Sequence, residues 1–163
     1  MPNLSYAIVA VAAYLLGSFP TGYVVGKAMG VDVRTVGSKN MGATNVFRVL
    51  GKGPGIFVLI VDGLKGYAAC TWLSDWLLQM QGVSVADAEP YRIIAGIAAV
   101  LGHNYTCWLW FKGGKGIATS AGIYFALAPV AAGIALAAWI VAAVITRFVS
   151  VASIAAAVAL PTA

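Results

Sequence analysis

Apolar residues fill this chain in long runs, and the polar positions that interrupt them gather in a few short places. Leu4 to Val25 is apolar and long enough to cross a bilayer, for which about 20 residues suffice. Ser18, Pro20 and Gly22 lie near its second end, where the proline predicts a kink. Residues 26–53 are too polar to span and form a first loop. Ile56 to Met80 is a second apolar segment. It carries Asp62 and Lys65 three apart, on one helical face, and charges at that depth are expected to pair or to face the protein interior. Gln81 to Pro90 is a short connector with Asp87 and Glu89 and no Lys or Arg. Tyr91 to Phe111 is a third segment, and its closing Trp108, Trp110 and Phe111 read as an interfacial aromatic belt. After a second polar turn at Lys112 to Gly116 comes Ile117 to Ile145, with Pro129 inside it. That run is either one long tilted helix or two shorter ones broken near the proline. Val149 to Ala163 starts a last apolar run that stops before it would span.

Composition narrows the class. The 163 residues are 61% hydrophobic and 9% charged, against about 25% charged in soluble domains. With a mean hydropathy of +0.91, a polytopic all-α transmembrane bundle forming one domain is the class that fits. The two cysteines, Cys70 and Cys107, lie in apolar runs with no metal or disulfide spacing and read as small packing residues. No metal or cofactor is expected, and no nucleic acid. The N-terminus has no basic stretch before its apolar run and no clear cleavage site, so it is expected to be a retained first helix.

The net charge is +5, and its placement matters more than its size. Lys27, Arg34, Lys39, Arg48 and Lys52 lie in the first loop, and Lys112 and Lys115 in the second turn. The positive-inside rule puts both on the cytoplasmic face, with the N-terminus and the acidic connector outside. Arg147 joins that face only if the chain breaks at Pro129.

Apolar packing does not explain RTVGSKNMGATNVFR at 34–48. Arg34, Ser38, Lys39, Asn40, Thr44, Asn45 and Arg48, with glycines at 37 and 42, form a set of cations, amides and hydroxyls suited to a phosphate. Attraction to anionic lipid needs only Lys and Arg in any order; the interleaved amides and hydroxyls point to a specific site. Tyr23 and Lys27, four apart at the end of the first helix, can reach this loop or serve as a belt tyrosine and a snorkelling lysine. A second stretch, GHNYTCWLWFKGGKG at 102–116, sets His103 beside Lys112, Gly113, Gly114, Lys115 and Gly116. It lacks the spacing of a nucleotide-binding P-loop. Glycine N–H groups at a helix entry nonetheless suit an anion.

These motifs together resemble one family. Gly17-Ser18 with Tyr23 and Lys27, then GSKNMGATNVFRVLG at 37–51, DGLKG at 62–66 and GHNYTCWLWFKGGKGIATSAG at 102–122 are similar to the acyl-phosphate-dependent glycerol-3-phosphate acyltransferases of bacteria. The resemblance runs from residue 17 to about 155. It implies a multi-pass enzyme of the bacterial inner membrane with its site facing the cytosol, acting on acyl phosphate and glycerol 3-phosphate among membrane lipid. Acyl transfer to the 1-hydroxyl would give lysophosphatidic acid and phosphate, the first acylation of phospholipid synthesis. It implies that Ser38 and Arg48 are needed for activity, and that Gly113, Gly114 and Gly116 with their lysines bind glycerol 3-phosphate. Where the family often has a proline between His103 and Phe111, this chain has Asn104-Tyr105-Thr106-Cys107. The family also continues into a further transmembrane helix and a motif with Asn, Arg and Glu, so the chain is expected to be a C-terminally truncated member.

An acyl phosphate is already an activated mixed anhydride, so the protein mainly has to position two anions and neutralise developing charge. Arg34, Lys39, Arg48, Lys112 and Lys115 are the residues for that, with backbone N–H groups at 37–42 and 113–116. The base is either His103 or a phosphate oxygen of the acyl phosphate itself, the second being the preferred reading. The rival from another class is a small transporter or channel for organic phosphates, which would place cations near the membrane midplane. Only Lys65 sits there. A lipid-binding scaffold fits the basic face but not the interleaved Ser, Asn, Thr and Gly.

Overall fold

The structure, a computed structural model, describes residues 2–162. Its regular elements are helical, with no strand among the described residues. They run α1 (Pro2–Ser18), α2 (Thr21–Ala28), α3 (Ala43–Leu50), α4 (Lys52–Ala68), α5 (Ser74–Met80), α6 (Glu89–Asn104), α7 (Ile117–Leu127), α8 (Pro129–Thr146) and α9 (Val149–Ala159). The chain packs as two units that divide after Ile123.

Among the described residues, three stretches are long and apolar enough to cross a membrane: Leu4–Ala28, Lys52–Met80 and Pro129–Thr146. The first is more than kinked. At Phe19-Pro20 the helix is interrupted, Pro20 adopting φ −88° and ψ 68°, and a new helix starts at Thr21. The second joins α4 to α5 through a π-helical turn at Ala69–Leu73. There the Ser74 hydroxyl donates to the Cys70 carbonyl at 2.9 Å, and the Thr71 hydroxyl donates to the Tyr67 carbonyl at 2.9 Å. Such back-bonding hydroxyls compete with the regular helical ladder. The run containing Pro129 is broken, as one of the two expectations had it. Ala128 leaves helical geometry (φ −143°, ψ 70°) because the following proline ring crowds it, and Pro129 opens α8.

The third segment differs from the expectation. It does not continue as helix to Phe111; α6 stops at Asn104 after 16 residues, about 24 Å at 1.5 Å per residue. Thr106 turns the chain out of the helix, its hydroxyl accepting from the Trp108 N–H at 3.3 Å. Trp110 and Phe111 then take left-handed conformations, φ 55° and 60°. The turn is closed by the Phe111 and Lys112 N–H groups, which donate to the carbonyls of Thr106 (2.9 Å) and Leu109 (3.1 Å).

The unit up to Ile123 has two apolar clusters. One joins α1, the π turn, α5 and α6 through Val9, Ala13, Ala69, Leu78, Ala95 and Ala99. Gly17 of α1 lies against the Ala99 carbonyl and Gly102 of α6 against Tyr14, the close backbone approach that small residues allow between membrane helices. The other cluster joins Val33, Met41, Val46, Val58 and Leu109. Along α4 and into the π turn that continues it, Val58, Asp62, Lys65 and Ala69 repeat at i, i+4, i+7 and i+11, and all four are buried. A charged pair therefore separates the two apolar clusters on one helix face. In the unit from Tyr124, α8 and α9 pair through the Trp139 indole N–H, which donates to the Ser153 hydroxyl at 3.3 Å; Arg147, at φ 59°, makes the turn between them.

Candidate active site

The first polar loop is folded onto α2. Gly22 and Gly26, four apart, present a strip of that helix without side chains, and Met41 and Val31 lay their carbonyls against it. A methyl group at Gly26 would lie 2.8 Å from the Val31 carbonyl oxygen. Within the loop, the fully buried amide of Asn45 is the pin. Its Oδ1 accepts from the Ser38 N–H at 2.7 Å, and its Nδ2 donates to the carbonyls of Val33 (2.9 Å) and Val36 (3.2 Å). Gly37 is left-handed (φ 61°) and lies against that same Oδ1. The Asn40 side chain accepts from the Gly42 N–H at 2.8 Å, a local turn that starts α3. Thr44 and Arg48 then share one exposed face of α3 at i, i+4.

Asp32 organises the cations nearest α2. Its carboxylate accepts from Nε and a terminal nitrogen of Arg34 at 3.0 and 2.8 Å, and Lys27 lies 3.3 Å away. The Arg34 guanidinium stacks 4.4 Å from the centre of the Tyr23 ring. Arg34's hydrogen bond holds the Asp32 carboxyl well below the usual carboxylate range, and the same bond raises Arg34 above its ordinary value.

The second polar turn caps α6. Gly113 N–H donates to the Asn104 carbonyl and Gly114 N–H to the His103 carbonyl, each at 3.0 Å. Gly114 lies against Nε2 of the buried His103 ring. Lys112 and Lys115 remain exposed. Leu109, three residues before Lys112, packs in the same cluster as Val33, Met41 and Val46 of the first loop. A shared core thus brings the two polar stretches to one end of the unit.

Beneath them lies a buried polar cluster. Lys65 Nζ is 2.9 Å from Asp62 Oδ1 and donates to the Phe19 carbonyl at 3.1 Å. The Thr21 hydroxyl donates to the same Asp62 oxygen at 3.0 Å, and His103 Nδ1 stands 3.8 Å from it. The Thr106 hydroxyl donates to the Ser18 carbonyl at 2.5 Å. Two carbonyls at the break between α1 and α2 therefore find donors from α4 and from the turn after α6.

The structure sorts the candidate residues. Ser38, Lys39, Thr44 and Arg48 are exposed, as are Lys112 and Lys115; Lys39, Arg48, Lys112 and Lys115 have no carboxylate partner among the described residues. Lys27 and Arg34 are already paired with Asp32, which sequence reasoning overlooked although it is the one acidic residue in 26–53. The Asn45 amide is committed to the loop backbone. Half of the backbone donors expected to hold an anion are engaged: the N–H groups of Ser38, Lys39 and Gly42, and of Gly113 and Gly114, donate within the protein. Lys39, Arg48, Lys112 and Lys115 are exposed cationic side chains that this surface offers an anion. Sequence reasoning also passed over Thr21 and Thr106, whose partners lie 41 and 88 residues away.

Comparison with known proteins bears on the family and the fold. A sequence model of the family described as Glycerol-3-phosphate acyltransferase matches residues 7–163. The glycerol-3-phosphate acyltransferase of Geotalea daltonii is 46% identical over 157 residues, 96% of this chain and 76% of the relative. That of Fusobacterium nucleatum is 45% identical over 93% of this chain and 74% of its own length. Among solved structures, the chain is similar to PlsY (YgiH), an integral membrane glycerol 3-phosphate acyltransferase, in its glycerol 3-phosphate form. The TM-score is 0.83 at 40% identity, covering 96% of this chain and 74% of that one. The lysophosphatidic acid form of the same enzyme gives a TM-score of 0.80 at 38% identity, with the same coverage.

Proposed function

The chain belongs to the glycerol-3-phosphate acyltransferase family, and from that premise we propose that it transfers a fatty acyl group from acyl phosphate to the 1-hydroxyl of glycerol 3-phosphate. The products are lysophosphatidic acid and inorganic phosphate. The observation that carries this reading is the shared core of Val33, Met41, Val46 and Leu109, which holds two cation-bearing stretches together at one end of a membrane bundle. A reaction between two phosphate-bearing substrates needs such a surface. Arg48 and Lys39 from the first stretch and Lys112 and Lys115 from the second neutralise the two anions, which otherwise repel each other, and bring them together. Lys27 and Arg34, held by Asp32, form the fixed edge of the basic surface; Asn40, Thr44 and Asn45 shape and line its first loop, and Gly113, Gly114 and Gly116 its second. Ser38 offers its exposed hydroxyl to a substrate oxygen.

In the transfer, the 1-hydroxyl oxygen attacks the acyl carbonyl carbon. The bond from that carbon to the phosphate oxygen breaks, and the phosphate leaves with the electron pair. The hydroxyl proton passes to a phosphate oxygen of the departing group, so no protein base is required. The burial of His103 under Gly114 supports this route over one in which its ring reaches the substrate. Lys65, the cation at membrane depth, is bound to Asp62 and the Phe19 carbonyl, which speaks against the transporter reading. We place the enzyme in the bacterial inner membrane, its N-terminus and acidic connector outside and both basic stretches facing the cytosol.

The test is lysophosphatidic acid formation in detergent, with acyl phosphate and acyl-CoA offered separately beside a Ser38→Ala control. Product from acyl phosphate alone, lost in the control, is expected. Product from acyl-CoA, undiminished product from the control, or none from either donor overturns the proposal.

A further inference from the structure

The DGLKG stretch at 62–66 lies away from the exposed cations, yet its two charged side chains are almost wholly buried, 3% and 4% exposed. Two ions in a bilayer interior are costly, and an ion pair is weak evidence of stability in itself. Their partners indicate another use. Thr21, which donates to Asp62 Oδ1, is the first residue of α2. One and five residues on, Gly22 and Gly26 receive the first polar loop at Met41 and Val31. Phe19, whose carbonyl accepts from Lys65, is the residue at which α1 breaks. On the other side of the same carboxylate stands His103, at 3.8 Å. Its own carbonyl and that of Asn104 receive Gly114 and Gly113 of the second polar turn.

One carboxylate therefore touches the platform of the first loop and faces the platform of the second. Lys65 fixes where that carboxylate points and holds the end of α1 in the same grip. We propose that Asp62 and Lys65 are positioning residues, which set the register of the two basic stretches against each other and thereby the separation of the two bound phosphates. This rests on the acyl-transfer reading above for its consequence, but the register itself is measurable without any reaction. Neither residue touches substrate; they act through α2 and through the end of α6. Each stretch also has internal bonds of its own, Asn45 in the first and the α6 carbonyls in the second, so each keeps its local shape when the pair is lost.

The experiment compares the parent protein, the double variant Asp62→Asn/Lys65→Met and the single variant Lys65→Arg. The double variant leaves no unpaired buried charge, so folding is not the limiting factor, and the introduced amide oxygen still accepts from Thr21. The arginine keeps a cationic donor. Spin labels on the native, exposed Cys107 and on Thr35→Cys, also exposed, report the distance between the two stretches, Cys70 being buried. The double variant is expected to broaden that distance distribution at least about two-fold. Its kcat should fall about 100-fold, the loss typical of a 1 Å misplacement, with KM for each substrate within about three-fold of the parent. Lys65→Arg is expected to keep the parental distribution and most of the rate, a rescue that general misfolding would not give. A parental distribution in the double variant, or a parental kcat, overturns the proposal. A parent that forms no lysophosphatidic acid refutes the acyl-transfer reading instead, and the spin-label distances still decide the register.

Discussion

Replacing Thr106 with valine isolates one bond at the break between α1 and α2. The side chains are nearly the same shape, so the substitution opens no cavity; it removes the hydroxyl that donates to the Ser18 carbonyl at 2.5 Å and accepts from Trp108 N–H at 3.3 Å. The first bond is buried and the second is long, so the Ser18 carbonyl dominates the cost. A buried acceptor left without its donor costs about 1–3 kcal/mol in soluble proteins. Inside membranes, side-chain hydrogen bonds between helices average about 0.6 kcal/mol and reach about 1.7, because the unfolded chain also finds partners. Ser18 sits at an interrupted helix, where no next turn takes over its carbonyl, so the upper part of the membrane range applies, about 1.5 kcal/mol. At about 2–4 °C per kcal/mol for a chain of this size, the midpoint of thermal unfolding falls by about 3–6 °C. A thiol-reactive fluorophore reads it in detergent, since Cys70 is buried and becomes reactive on unfolding, while Cys107 is exposed from the start. Thr106→Ser keeps the hydroxyl and should stay near the parent. If Thr106→Val melts with the parent, or if the serine variant falls as far as the valine, the bond does not hold the break and the reasoning fails.

Two further outcomes follow from the site. His103→Gln should keep lysophosphatidic acid formation within about ten-fold of the parent, with the same pH–rate profile between about pH 5.5 and 8, since the proton goes to the departing phosphate; loss of a limb of that profile would identify the imidazole as the base. Asp32, held by Arg34 and Lys27 below the ordinary carboxylate value of 3.8, contributes a stabilisation present above that value and lost only as pH falls through its lower folded one. The Arg34 N–H, which donates to Asp32 at 3.1 Å, should therefore stay protected from hydrogen exchange down past about pH 4, and Asp32→Asn should remove that protection at neutral pH; protection that fades with the ordinary carboxylates would contradict this.

What the sequence made legible was what repeats or breaks locally. Apolar runs announced the membrane helices, Pro129 announced a break, and the interleaved cations and amides at 34–48 announced a built loop. Asp62 and Lys65 could be read as a buried pair because their three-residue spacing puts both on the face that Val58 and Ala69 bury. The interruption at Phe19-Pro20 was legible only as a kink, because its depth depends on donors from Lys65 and Thr106, remote in sequence. The early end of α6 was hidden for a related reason. Its apolar run continues to Phe111, and only the turn made by Thr106 and the left-handed Trp110 and Phe111 separates helix from loop. Asn45 looked like a ligand for substrate because an amide in a polar loop suits either role; its burial assigns it to the loop's own backbone.

The pairing of Asp62 with Lys65 also bears on how the protein sits in an energised membrane. Asp62 lies ten residues into a helix that starts at Lys52, about 15 Å along it, within a stretch long and apolar enough to cross the bilayer. A lone ammonium there would experience a transmembrane voltage worth about 2.3 kcal/mol per 100 mV for a full crossing of the field. With its counter-charge 2.9 Å away, the pair carries no net charge for the voltage to pull on. A voltage therefore exerts no net force on the pair that holds the break between α1 and α2, whereas it would pull on either charge alone.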